Sequence, residues 1–259
     1  MPTITTDDRT SIAYRTIGEG PINVLFVHGW MVSGAVWNDM LEVFDTTGLR
    51  LILPDLRGTG GSDKPDTGYT LERHAKDMLA VADAAGAQSF IVVGHSMGGQ
   101  VAQWLAASHP DRVRGVALLC SVPASGMTLP DDALGLFRAS PGSRENQSII
   151  FNLSCKQLSD TSRERLLDDA AQTSAPAILE GLTAWSGGGF ADRLTAVRAP
   201  TLVVATDDAF MPPDFLKQAI VSPIKSARLA VLPGPGHYPQ VERPRETAAL
   251  LQAFFTGLG

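Results

Sequence analysis

Two cysteines, Cys120 and Cys155, are all that 259 residues supply, and neither stands in a CxxC or beside a Cys/His cluster. That scarcity argues against a disulfide framework and against a metal site. Both thiols read as buried small hydrophobes in a reducing compartment. Positive charge is sparse as well. Lys and Arg total 21 against 27 acidic residues, the net charge is −6, and no basic cluster occurs anywhere. Without a groove that could track phosphates, nucleic acid is not an expected partner. No apolar run reaches membrane-spanning length, so no membrane partner is expected either. The opening MPTITTDDRT has neither a positive n-region nor an apolar h-region and does not read as a signal peptide. The expectation is a soluble, cytoplasmic protein. Internal repeats and low-complexity tracts are also missing. What remains is 44% apolar residues with an ordinary charged fraction, enough for a sizeable core and incompatible with general disorder.

Short β-branched runs alternate with helix-length segments through the first half. Residues 23–28, 50–55 and 89–94 are almost continuously apolar, the pattern of strands buried on both faces of a parallel sheet. Between the last two, Leu71, Ala75, Met78, Leu79 and Ala82 recur at helical spacing, with Thr70 placed to cap the start and Gly86 the end. A second helix is expected after Ser96, with Val101, Ala102, Leu105 and Ala106 on one face, and residues 113–122 supply the next strand. From Pro123 to about Phe190 the strand pattern stops and four helix-like segments follow, closed by the glycines at 187–189. Strand character returns at 199–206 and 227–234, before an amphipathic C-terminal helix. The chain therefore reads as an α/β core, residues 1–122 and 191–259, interrupted at 123–190. That insertion of about 65 residues is long enough to be a helical cap rather than a loop.

The stretch IVVGHSMGGQ runs a predicted strand directly into a predicted helix through Gly-His-Ser-Met-Gly. So sharp a turn forces its middle residue into a strained backbone and leaves no room for neighbouring Cβ atoms. Gly94 and Gly98 remove those atoms, and Gly99 lets the helix approach the sheet. Ser96 is lifted clear of the sheet edge at a helix N-terminus, where free N–H groups favour developing negative charge. This is the G-x-S-x-G nucleophile elbow in its strand–turn–helix setting.

A serine hydroxyl needs a base to become a nucleophile. Of five histidines, His95 should point away across the turn, and His74 reads as a solvated helix residue. His109 sits at a helix end, and His28 should brace the loop after the first core strand. His237 lies in the Gly/Pro-rich loop LPGPGHYPQ after the last predicted strand, where no secondary structure needs a histidine, and is the expected base. The carboxylate that would orient it comes from TDDAFMPP: Asp208 is preferred, Asp207 is the alternative, and one of the two is free to cap a helix beginning near Pro212. The oxyanion hole needs two donors, each worth roughly 3–4 kcal/mol. Met97 N–H follows the nucleophile, and Trp30 N–H follows Gly29, with the Trp30 ring also an apolar wall. Phe137, Ile149, Ile150, Phe151, Leu153, Leu182 and Trp185 supply either a pocket lining or the cap's own core. Phe137 and Trp185 are the substrate-binding candidates.

Four blocks, FVHGW, PDLRGTGGSD, VGHSMGG and GHYPQVERP, resemble the α/β-hydrolase superfamily in order and spacing over nearly the whole chain. The resemblance implies a mostly parallel central sheet flanked by helices, with Ser96 as nucleophile, His237 as base, Trp30 and Met97 as oxyanion donors, and no cofactor or metal. It makes residues 123–190 a cap that shapes the acyl and alcohol pockets, and gives Asp55, Arg57 and Gly58 a structural role. Thr206 departs from the family pattern, which has glycine there. FVHGW and VGHSMGG together are similar to the cofactor-free perhydrolases and the aryl esterases. The implied activity is hydrolysis of small to medium apolar or aryl carboxylic esters through an acyl-enzyme on Ser96. C–C bond hydrolysis, lactone opening and perhydrolysis are alternatives on the same triad. A ligand receptor or a cofactor-free oxygenase on the same fold is the rival class. The oxygenase branch uses an acid after VALLCSV, where this sequence has neither Asp nor Glu.

Overall fold

A computed structural model describes residues 1–258. Its centre is an eight-stranded sheet formed by β1 (Thr3–Thr5), β2 (Ser11–Ile17), β3 (Ile22–Val27), β4 (Leu49–Pro54), β5 (Phe90–His95), β6 (Val113–Leu119), β7 (Thr201–Ala205) and β8 (Ala227–Val231). Their order is β1-β2-β4-β3-β5-β6-β7-β8. From β4 to β8 every pairing is parallel, whereas β1 and β2 add an antiparallel edge. All six residues of β5 are buried, because helices cover both faces of a parallel sheet.

Among the described residues ten α-helices surround the sheet: α1 (Asn38–Leu41), α2 (Leu71–Ala84), α3 (Met97–Ser108), α4 (Asp131–Arg138), α5 (Arg144–Ser154), α6 (Asp160–Ala171), α7 (Ala175–Gly187), α8 (Pro213–Leu216), α9 (Pro239–Glu242) and α10 (Pro244–Thr256). The Thr70 hydroxyl caps α2 by accepting from Arg73 N, and Val101, Ala102, Leu105 and Ala106 form the buried face of α3.

Each expected core strand is present: β3, β4 and β5 are shifted by one residue, and β6, β7 and β8 are shorter than expected. Residue 120 leaves β6 because Cys120 adopts φ 43, which turns the chain out of the sheet. The hairpin of β1 and β2 was not expected from the sequence. β1 is only three residues long and β2 mixes polar and apolar residues with only Ile12 and Ala13 buried, so the signal is weaker than that of a buried run. His74 corrects the expectation of a solvated residue. It is 2% exposed, since it lies three residues from Leu71 and shares the buried face of α2.

Helices α4 to α7 all fall between β6 and β7. The two ends of this segment lie together. The Gln100 amide of α3 donates to the carbonyls of both Pro123 and Trp185, and Phe190 N donates to Ala124 O. Further bonds tie the segment to the core. Asp169 accepts from Ser33 N, Glu180 accepts from Gly68 N and Tyr69 N, and the Trp30 indole donates to Ile178 O.

The chain passes from β3 to β4 in one direction and from β5 to β8 in the other, so the loops after β3 and β5 diverge at the sheet centre. Crevices at the carboxyl ends of such strands are where parallel sheets bind ligands.

Candidate active site

Ser96 sits between β5 and α3 with φ 55 and ψ −122, a backbone that side chains other than glycine rarely adopt. The surrounding glycines explain how so tight a turn fits. A Cβ on Gly98 would fall on the carbonyl oxygens of Val27 and His28, one on Gly94 on the Gly98 carbonyl, and one on Gly99 on the Ser121 hydroxyl. The turn is pinned by Ser96 N donating to Leu119 O at 3.1 Å, and Ser96 O accepts from Gly99 N at 2.9 Å.

Met97 is the first residue of α3, so its N–H has no acceptor within the helix. The loop after β3 presses against the elbow, since a Cβ on Gly29 would lie 3.0 Å from Ser96 Cβ. His28 braces that loop. Its Nε2 accepts from Leu56 N at 2.8 Å, which fixes the tautomer in which Nδ1–H donates to Gly29 O at 2.8 Å. The Trp30 ring packs edge-on against Phe137 (5.4 Å between centroids) and Trp185 (6.0 Å).

His237 follows β8. Its Nδ1–H donates to Asp208 Oδ2 at 2.6 Å, and Asp208 is almost fully buried. Asp207 faces solvent instead and accepts from Gly234 N at 3.0 Å. Neither aspartate caps α8. The helix has no side-chain cap, because Asp208 Oδ1 accepts from Phe210 N within its own turn. Thr206, the departure from the family pattern, is fully buried at the end of β7. Its hydroxyl donates to Gly236 O at 2.7 Å and accepts from Asp208 N at 3.1 Å, joining the acid's loop to the base's loop. The His95 ring packs 5.0 Å from that of His237, and its Nε2–H donates to the His237 carbonyl at 2.8 Å. Burial, followed by the neighbouring His237, pushes the His95 pKa well below the usual histidine value, so it is a neutral prop.

Ser96 and His237 line one cavity of about 50 Å³ with Trp30, Phe137, Ile150 and Trp185. Val122, Met127, Ser154, Phe210, Met211 and Tyr238 complete the wall, and none of these was singled out in the sequence. The seven apolar residues of 123–190 divide three ways. Phe137, Ile150 and Trp185 line the cavity and are also part of the buried core, whereas Phe151 and Leu182 belong to the core alone. Ile149 and Leu153 are 40% and 57% exposed and do neither, because they lie on the outer face of α5. A larger cleft of about 260 Å³ lies between α6 and residues 35–39, but it contains neither Ser96 nor any histidine.

Cys120 directly follows β6. Its Sγ lies within 4.8 Å of ligand-type atoms of Asp208 and His237, the only such compact group among the described residues. Burial, then the Asp208 charge, raises the thiol pKa well above its usual value, and Sγ contacts Thr206 Oγ1 at 3.3 Å. Cys155 is half-buried, a partial departure from the fully buried thiol expected, and both cysteines are free. Asp55 Oδ1 and Oδ2 accept from Gly34 N and Gly61 N, each at 2.9 Å, and Arg57 pairs with Asp77 at 2.6 Å.

A six-strand parallel run with a strained Ser96, an Asp208–His237 pair and a shared cavity defines a hydrolase scaffold. Residues 22–244 match the alpha/beta hydrolase fold family, and the chain belongs to it. The chain is 31% identical to a non-heme haloperoxidase of Rhodococcus erythropolis over 92% of this chain and 93% of that one. It is 26% identical to a bifunctional esterase/perhydrolase of Acinetobacter calcoaceticus over 92% and 93% of the two chains. Among solved structures it is similar to Est816, described as an N-acyl homoserine lactone degrading enzyme, with a TM-score of 0.82, 30% identity and coverage of 98% and 100%. The protein is thus an enzyme of the α/β-hydrolase family with esterase, lactonase and perhydrolase-like relatives. No helix among the described residues is long and apolar enough to cross a membrane.

Proposed function

We propose that the protein is a serine carboxylic ester hydrolase acting on small-molecule esters. The observation that carries this reading is the 2.6 Å bond from His237 Nδ1 to a buried Asp208, on a histidine that lines the same cavity as Ser96. With Nδ1 engaged by the carboxylate, Nε2 is the nitrogen left to take the Ser96 proton as Oγ attacks the ester carbonyl. The N–H groups of Met97 and Trp30 receive the charge that grows on the carbonyl oxygen, aided by the positive end of α3. His237 then protonates the departing alcohol, and water, deprotonated by the same nitrogen, frees the acid and restores Ser96. A buried Asp208 stabilises the imidazolium without taking its proton.

Helices α4 to α7 act as a cap in this scheme, supplying Phe137, Ile150 and Trp185 to a wall that admits an apolar acyl or aryl group. A cavity of about 50 Å³ favours short acyl chains. Lactone opening and perhydrolysis pass through the same acyl-enzyme, and the relatives' descriptions put both beside ester hydrolysis. A fluorophosphonate should label Ser96 stoichiometrically, and Ser96→Ala should neither be labelled nor turn over p-nitrophenyl acetate. In the same panel, acetyl esters should be cleaved faster than decanoyl esters. An unlabelled chain, or an active Ser96→Ala variant, removes the proposal.

A further inference from the structure

The loop that carries His237 has no regular secondary structure, yet its backbone polar groups are held from several directions. Thr206 holds the Gly236 carbonyl, His95 holds the His237 carbonyl, and His237 N–H donates to Ser154 O at 2.8 Å. The remaining two N–H groups, of Gly236 and Tyr238, both end on Glu242.

Glu242 is a buried carboxylate of α9. Its Oε1 accepts from Gly236 N at 3.1 Å and Tyr238 N at 3.2 Å. Its Oε2 accepts from Gly236 N at 3.0 Å, Lys156 N at 2.8 Å and Gln157 N at 2.7 Å. The last two donors lie just beyond α5, in the segment inserted between β6 and β7. One side chain therefore grips the loop on both sides of His237 and, with its other lobe, the 154–157 stretch. Gly236 makes the contact sterically possible, since a Cβ there would fall on Ser154 O and lie 2.9 Å from Cys155 Cα.

We infer that Glu242 is a positioning residue for His237, and that it makes the 154–157 stretch of the cap part of the base's support, so that cap seating and imidazole placement are set together. This rests on His237 acting as the base. A buried charge-assisted clamp of this kind is selective, because an amide in its place would turn an NH2 donor toward backbone donors.

The test compares Glu242→Gln and Gly236→Ala with the parent and with His237→Ala. Three quantities are read: kcat and KM on p-nitrophenyl acetate per folded molecule, and the downfield proton resonance of the His237–Asp208 bond. Glu242→Gln should lower kcat roughly 10- to 100-fold with KM within about threefold, the pattern of a misplaced reacting group. The downfield resonance should shift or broaden. Gly236→Ala, which pries the two segments apart and leaves the carboxylate in place, should give the same pattern. The inference is overturned if kcat per folded molecule and the resonance match the parent in either variant, including the case where activity falls only with the folded fraction. A fully active His237→Ala would instead remove the assignment of the base.

Discussion

At Ser96 the backbone angle of φ 55 stores strain on the order of 1–3 kcal/mol, held in place by the sheet behind it and the helix ahead of it. Two residues after β7 the choice between carboxylates is equally local. Successive side chains of an extended segment point to opposite sides, so Asp207 and Asp208 have different surroundings despite their adjacency. Asp208→Asn should therefore reduce kcat on the order of 10⁴-fold, by imposing the wrong His237 tautomer. Asp207→Asn should leave kcat near that of the parent, and steady-state kinetics on one ester decides between them. A reversal of the two effects would reassign the acid. The serine and the histidine were legible in the sequence because glycine and proline punctuation singles them out. The aspartate pair was narrowed by spacing to Pro212 but not separated, since which side chain turns inward depends on the register of β7 against β8. Glu242 carried no such signal. A Glu two residues before the final amphipathic helix reads as a surface charge until the chain folds four backbone donors onto it.

The element that most constrains chemistry is the β5–α3 turn. Its glycines were read as room-makers, and the atoms they avoid are carbonyls of β3 and its loop together with the α3 backbone itself. Gly98→Ala places a methyl against backbone that has no rotamer to yield. Such overpacking typically costs about 1–3 kcal/mol or more, so the thermal midpoint should fall and ester turnover should fall with it. An unchanged midpoint would mean that the turn relaxes and that the glycine is not sterically required. Periodicity located α2 to α7 and α10 within a few residues, since their apolar faces repeat at 3.6. His74 shows where that reading stops: Glu72, Arg73 and Lys76 around it are polar, but the helix turns it inward, and only its distance from Leu71 and Met78 reveals the face.

Across the whole molecule, buried histidines make stability depend on pH. Burial lowers the pKa of His28, lowers that of His95 well below the usual value, and takes His74 to about 3 from 6.5. Each folded-state value lies below the unfolded one, so between them the unfolded chain binds more protons. Stability is full above about pH 6.5 and is lost as pH falls toward the folded values, with a slope near 1.4 kcal/mol per pH unit for each such histidine. Urea unfolding between about pH 7 and about pH 4.5 should show this loss, and His74→Gln should flatten the slope. A stability that rises on acidification would contradict the assignment. Fold class was legible at this scale from strand–helix alternation and the late insertion. The antiparallel edge of β1 and β2 was not, because a solvent-facing edge strand lacks the continuous apolar run that marks the others.

The acyl-enzyme itself is the most direct test. Rapid mixing of the protein with p-nitrophenyl acetate, followed by intact-mass and peptide analysis of the quenched mixture, should show a burst of nitrophenol. The burst should match one acetyl group per chain on Ser96, and it should vanish in His237→Ala. Turnover without a burst and without acetyl on the Ser96 peptide would contradict the account.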